Sequence, residues 1–113
     1  MLAFGEALGL SKDKVVQIDI SAADRAHYSK HSVDTEFIFP FGQKELWGLA
    51  YRTDFDLSAH AGHSGAELST LDETGARITP HVIEPSFGVE RTLLAVLASA
   101  YDEDALGGET RTI

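Results

Sequence analysis

Apolar and polar residues along this chain switch between two periods. Residues 1–8 read as the end of a helix closed at Gly9, and residues 15–20 alternate as a strand does. Ser21 followed three residues later by Asp24 predicts a capped helix reaching about Lys30. Residues 35–41 and 43–52 form a strand pair around the Phe41-Gly42-Gln43 turn. A short helical turn over 56–61 follows. Strands over 66–71 and 78–86 then flank the polar turn 72–75. From Val89 the apolar residues Leu93, Leu94, Val96, Leu97 and Tyr101 recur with a helical period, predicting a helix over about 89–102 with one buried stripe. Mostly antiparallel strands with helices on one side make the expected class α+β. Trp47, Phe39, Phe41 and Phe55 are expected in the core, and the acidic run 101–104 is expected to be a solvated helix end.

The densest chemistry lies in His81-Val-Ile-Glu-Pro-Ser-Phe-Gly-Val-Glu-Arg91. Alternation puts Glu84 and Ser86 on one strand face. Gly88 allows a close turn and close approach to a ligand. Arg91 falls in the first turn of the last helix, where free N–H groups and the helix dipole already attract an anion. An acid is the usual choice there. An arginine fork suits phosphate, although spacing alone equally allows Arg91 to pair with Glu84 or Glu90 on the surface.

VIEPSFGVER resembles the third signature motif of class II aminoacyl-tRNA synthetases, in the form found in glycyl-tRNA synthetases of the dimeric type. FPFGQKELWGLAYRTDFDLSAH, residues 39–60, is similar to a second block of that family. HSG at 63–65 and AHYSKHSVDTEF at 26–37 complete four blocks in the family's order, covering about Leu8 to Asp104. The resemblance implies part of the class II antiparallel sheet core flanked by helices.

It also implies roles. Glu84 would bind the α-ammonium of glycine, Ser86 would line the same pocket, and Arg52 would hold the glycine carboxylate. Glu45, on a strand of the active-site sheet, would join that set. Arg91 would contact ATP, mainly its γ-phosphate, with Gly88 and Glu84 beside it. The implied reaction is ATP-dependent glycyl-adenylate formation followed by transfer to tRNA(Gly), with Mg2+ accompanying the phosphates and a homodimeric parent. The residue types suit this chemistry. A zwitterion needs one carboxylate and one guanidinium, and adenylate formation needs positioning and charge stabilisation more than a protein nucleophile. Excluding larger side chains is a steric task.

Three positions depart from the family pattern: Tyr51, Trp47 and His81. The first two are expected to reshape the edge of the pocket. Motif 1, motif 2 with its second arginine, and the anticodon-binding domain are absent from these 113 residues. The expectation is therefore a single partial catalytic domain over 1–113, a piece of the synthetase that is poorly active alone. The alternatives are a synthetase-like paralogue that binds amino acid or nucleotide without turnover, or an interaction module that keeps only the fold.

Composition narrows the setting. A hydrophobic content of 43% supports one core. No apolar run approaches the roughly 20 residues of a membrane span, and Met1-Leu-Ala-Phe4 lacks the basic start of a signal peptide. The lack of cysteine suits a cytoplasmic protein. Eighteen acids against nine bases give a net charge of −9, which repels nucleic acid, so tRNA contacts are expected outside this segment or on a segregated face. His27 and His31 on the predicted helix, and His60 and His63, have spacings that could bind zinc, with Asp24, Asp54 and Asp56 nearby in sequence. Exposed helix histidines are the commoner outcome, and no metal is assigned.

Overall fold

The computed structural model describes residues 1–113. In chain order the elements are α1 (Leu2–Ala7), a 3-10 turn (Lys12–Lys14), β1 (Val15–Asp19), β2 (His31–Phe39), β3 (Gly42–Thr53), α2 (Phe55–Ser64), β4 (Thr70–Leu71), β5 (Arg77–Ile78), β6 (Val82–Phe87), α3 (Val89–Ala100), β7 (Glu103–Leu106) and β8 (Glu109–Thr112). A four-stranded sheet has the order β1-β2-β3-β6, while β4-β5 and β7-β8 are separate antiparallel pairs. This is an α+β fold. The chain divides into two compact units: Met1–Gln17, Thr35–Trp47 and Phe87–Ile113 in the first, Ile18–Asp34 and Gly48–Ser86 in the second.

The first unit holds every fully buried apolar side chain: Leu10, Phe37, Phe39, Leu46, Trp47 and Ala95. Trp47 is its centre. Its ring packs against Phe4 and Phe87 at centroid distances of 5.5 and 5.3 Å. Its Nε1 donates to Thr92 Oγ1 at 2.8 Å, and that hydroxyl donates onward to the Gly88 carbonyl at 2.7 Å. The indole thus gains both burial and a satisfied N–H, as a buried tryptophan requires. Trp47 is thus a core residue tied to α3, as expected of it from the sequence. Gly9, at φ 79°, ends α1, and the amides of Gly9 and Leu10 close its last turn on Glu6 and Gly5.

Helix α3 matches its predicted start and ends two residues early. Its apolar stripe, however, is not buried. Ala95 is fully buried and Val96 and Ala98 partly so, whereas Val89, Leu93 and Leu97 are 75%, 59% and 59% exposed. Small residues let the helix approach the core closely, and the larger ones face outward. Val89 and Leu93 line, with Phe4, Leu8 and Phe87, an open apolar groove of about 530 Å³. Phe41 and Phe55, expected in the core, are also exposed: Phe41 sits in the two-residue turn between β2 and β3, and Phe55 opens α2. After Tyr101 the chain becomes extended, so Glu103 and Asp104 belong to β7 and not to a helix end. Asp104 holds Arg111 of β8 through two hydrogen bonds, 2.8 and 2.5 Å.

The second unit contains the largest miss. No helix forms over 21–30. The Ser21 hydroxyl bonds the Asp24 carboxylate at 2.6 Å rather than a backbone amide, Arg25 reaches the Lys30 carbonyl, and successive turns lead directly into β2 at His31. The cap residues satisfy each other, which removes the signal's helical consequence. His27 and His31 therefore share no helix face: His27 packs on Tyr28 and Phe55, while His31 opens β2 and lies 3.3 Å from Asp19. The α2 helix is longer than expected, ten residues. The strands predicted at 66–71 and 78–86 are shortened to the pair β4-β5 and to β6, which starts only after Pro80. The Asp72 carboxylate organises the intervening turn by accepting from the Thr74 amide and hydroxyl and from the Ala76 amide.

Candidate functional site

Arg52 is the penultimate residue of β3 and the hub of the second unit. Thr53 follows it at φ 56°, the one non-glycine residue in the left-handed region. That sharp corner carries the strand straight into α2, and the i, i+4 relation then sets Asp56 against Arg52. Nε donates to Asp56 Oδ2 at 2.6 Å and Nη2 to Asp56 Oδ1 at 2.8 Å, a side-on fork. On β6, Glu84 accepts from Nη1 at 2.5 Å. The Tyr28 ring lies beneath the guanidinium carbon, 3.8 Å from its centroid.

Arg52 is 18% exposed and Asp56 22%, while Glu84 is 46% exposed. The hydrogen bond from Arg52, with its charge and a lesser contribution from His60, holds the Asp56 carboxyl below its ordinary range against a partial burial that pushes the other way. The bonds to Asp56 and then Glu84 raise the Arg52 guanidinium above its already high value. Both groups stay charged at any working pH.

Five N–H groups belong to a guanidinium. Asp56 and Glu84 take three here, leaving one on each terminal nitrogen. Glu84 Oε1 accepts no hydrogen bond. The cluster thus sets one guanidinium against two carboxylates. Ser86, two residues on along β6, is exposed on the face that alternation gives to Glu84. Tyr51, next to Arg52, takes the opposite face of β3 by the same rule, and His81 lies just before β6. The Tyr51 hydroxyl and His81 Nδ1 are 2.6 Å apart, so two of the positions that depart from the family pattern are bonded to each other.

The first unit carries the remaining predicted residues. Arg91, in the first turn of α3, donates from Nη1 to the Glu45 carbonyl at 2.8 Å rather than pairing with Glu90. The Glu45 side chain is exposed on β3. Gly88 precedes α3 at φ −81°, and an added Cβ there would meet nothing nearer than 3.6 Å, so the turn itself does not require glycine. Arg91 lines a surface recess of about 220 Å³ with Lys44, Phe39, Phe41 and Leu94. Its two cations sit beside the exposed Phe41 ring, which stacks on Phe39 at 4.9 Å.

Sequence reasoning did not single out Asp56, Tyr28 or Lys44 as site residues. Asp56 was signalled by its spacing from Arg52 once the helix start is set at residue 55. Nothing in the spacing marks Tyr28, which reaches Arg52 from the irregular segment 21–30.

No family model matches the chain. Individual relatives do: it is 50% identical over 109 residues to the glycine–tRNA ligase of Clostridium tetani, an alignment covering 95% of this chain and 24% of that enzyme. The glycine–tRNA ligases of Lachnospira eligens and Caldanaerobacter subterraneus are 48% and 45% identical, again over more than nine-tenths of this chain and 24% and 23% of their own lengths. The chain belongs to the glycine–tRNA ligase family. It spans about a quarter of the length of the curated relatives it matches. The alignments run through the segments that bear Arg52, Glu84 and Arg91.

Proposed function

We propose that this chain supplies the glycine-recognition residues, and one nucleotide-recognition arginine, of an ATP-dependent glycine–tRNA ligase. The activity would join glycine to ATP as glycyl-adenylate, release pyrophosphate and pass glycine to the 3′ end of tRNA(Gly). The observation that carries this reading is the Arg52–Glu84 pair, with a free Glu84 oxygen and two free guanidinium N–H groups. The ammonium of a small zwitterion matches the first and its carboxylate the second.

In this scheme the ammonium of glycine lands on Glu84 and its carboxylate on the terminal nitrogens of Arg52, with Ser86 beside them. Fixing the carboxylate lets one of its oxygens attack the α-phosphate with little entropy left to lose. Arg91, braced by the Glu45 carbonyl, would meet the γ-phosphate and draw charge toward the departing pyrophosphate. Lys44, on the same recess, would add a second cation, with Gly88 as close backbone. Mg2+ would enter with the ATP phosphates, whose oxygens suit a hard cation.

The sequence lacks a motif-2-type second arginine, so residues 1–113 act in this reading as a partial catalytic domain that activates glycine weakly alone. A net charge of −9 supports tRNA contacts outside this segment. The complete enzyme would be a cytoplasmic homodimer.

The test is titration of the 113-residue chain with a non-hydrolysable glycyl-adenylate analogue, followed by amide NMR shifts, with the alanyl analogue as control. Glycyl-selective shifts at Arg52, Glu84 and Ser86 are expected. A dispersed spectrum that responds equally to both analogues, or to neither, refutes the assignment.

A further inference from the structure

Arg52, largely buried, is held on one edge by Asp56 and on one face by Tyr28. We infer that Asp56 and Tyr28 are positioning residues, which lock the Arg52 guanidinium in one plane and one rotation so that only its terminal nitrogens face an incoming amino-acid carboxylate. This rests on the glycine reading above.

Three observations converge. Asp56 occupies the Nε–Nη2 edge of the guanidinium with two short bonds, which removes that edge as a docking site. Tyr28 covers one face at 3.8 Å, which fixes the plane. Tyr28 is itself held: the next residues, Ser29 and Lys30, bond to the strand that carries Arg52, the Lys30 amide donating to the Tyr51 carbonyl at 2.8 Å and the Ser29 hydroxyl to the same carbonyl at 3.4 Å. His27 and Phe55 extend the aromatic support, with ring centroids 5.3 and 5.6 Å apart along the chain Tyr28–His27–Phe55. The left-handed Thr53 sets Asp56 at the required spacing, and its hydroxyl donates to the Arg52 carbonyl at 2.6 Å. Strain kept at the residue between a ligand-binding arginine and its brace points to positional demand.

The consequence is chemical. An unbraced arginine can offer side-on or end-on forks to a carboxylate, and samples many rotamers before it does. With the side edge filled, the carboxylate is forced to the terminal nitrogens, on the side where Glu84 waits for the ammonium. Asp56 and Tyr28 touch no ligand in this scheme and act only through Arg52.

The experiment uses the labelled 113-residue chain and arginine side-chain NMR, with glycine and glycinamide as probes. In the free wild-type chain the Nη signals of Arg52 should be separate, because rotation about the guanidinium bonds is slow. Asp56→Asn should merge them and weaken glycine roughly tenfold, the loss of about one charge-assisted contact. Glycinamide, which lacks the carboxylate, should bind both proteins alike. Asp56→Glu should restore part of the loss, and the α2 amide spectrum should stay unchanged throughout. Tyr28→Leu provides the second variant, with the same direction of effect, should Asp56→Asn fail to fold. Separate Nη signals and wild-type glycine affinity in both Asp56→Asn and Tyr28→Leu overturn the inference. A wild-type chain with separate signals that binds neither probe overturns the glycine reading, and the ligand-facing role with it.

Discussion

Arg52 and Asp56 meet across the corner between β3 and α2 through a two-bond fork, Nε to Oδ2 at 2.6 Å and Nη2 to Oδ1 at 2.8 Å. The corner exists because Thr53 is left-handed, and the fork closes because the chain, turned there, brings Asp56 in the first turn of α2 back onto Arg52 of β3. A local backbone irregularity thus becomes the orientation of a substrate-binding charge.

The fork has a pH dependence whose sign is set by its acid. Asp56 is held below its ordinary 3.8, so the stability it contributes is present above that value and is lost as pH falls through the lower folded value. Arg52 is raised instead, and its contribution would fade only in strong alkali. Amide protection at residues 52–56 should therefore be flat from pH 8 to about 5 and fall at lower pH. In Asp56→Asn that acid limb should disappear for these residues. An unchanged acid limb in the variant would show that another carboxylate governs the corner.

Thr35 offers a prediction of opposite sign. It is fully buried in β2, and its hydroxyl has no hydrogen-bond partner. Thr35→Val replaces an unsatisfied hydroxyl by a methyl of similar size, and should stabilise the chain by about 1 kcal/mol. Thermal or urea unfolding measures this. A destabilisation of similar size would mean the hydroxyl has a role that the geometry does not reveal.

Gly88 separates folding from function. With φ at −81° and ordinary contact distances around an added Cβ, Gly88→Ala should leave stability within about 0.5 kcal/mol. If the glycine serves close approach of ATP, the same variant should raise the ATP KM severalfold in an active enzyme while leaving glycine binding intact. A large stability loss, or no change in KM, would count against that role.

Strand β3 and helix α3 were legible because long periodic runs dominate their local choices. The hairpin was legible from Gly42. Segment 21–30 was not, because Ser21 and Asp24 look like a helix cap yet bond each other, and the segment's true determinant is its docking through Ser29 and Lys30 onto residues distant in sequence. The burial of α3 was misread for a related reason. Periodicity locates an apolar face, but whether that face is covered depends on partners, and here Ala95 and not Leu93 makes the core contact. In the site, Arg52 and Glu84 were recoverable from their motifs, and Asp56 from its i, i+4 spacing. Tyr28 was invisible because only the tertiary path of an irregular segment brings it to Arg52.

The central claim is that Arg52 and Glu84 bind glycine. Its most direct test is a chimera in which residues 1–113 replace the matching quarter of the Clostridium tetani glycine–tRNA ligase, assayed by glycine-dependent ATP–pyrophosphate exchange. The chimera should exchange. Arg52→Ala and Glu84→Ala should each lower kcat/KM for glycine by at least about a hundredfold, near 3 kcal/mol, with the fold and ATP binding retained. A folded, active chimera in which either variant keeps near-normal exchange would contradict the account.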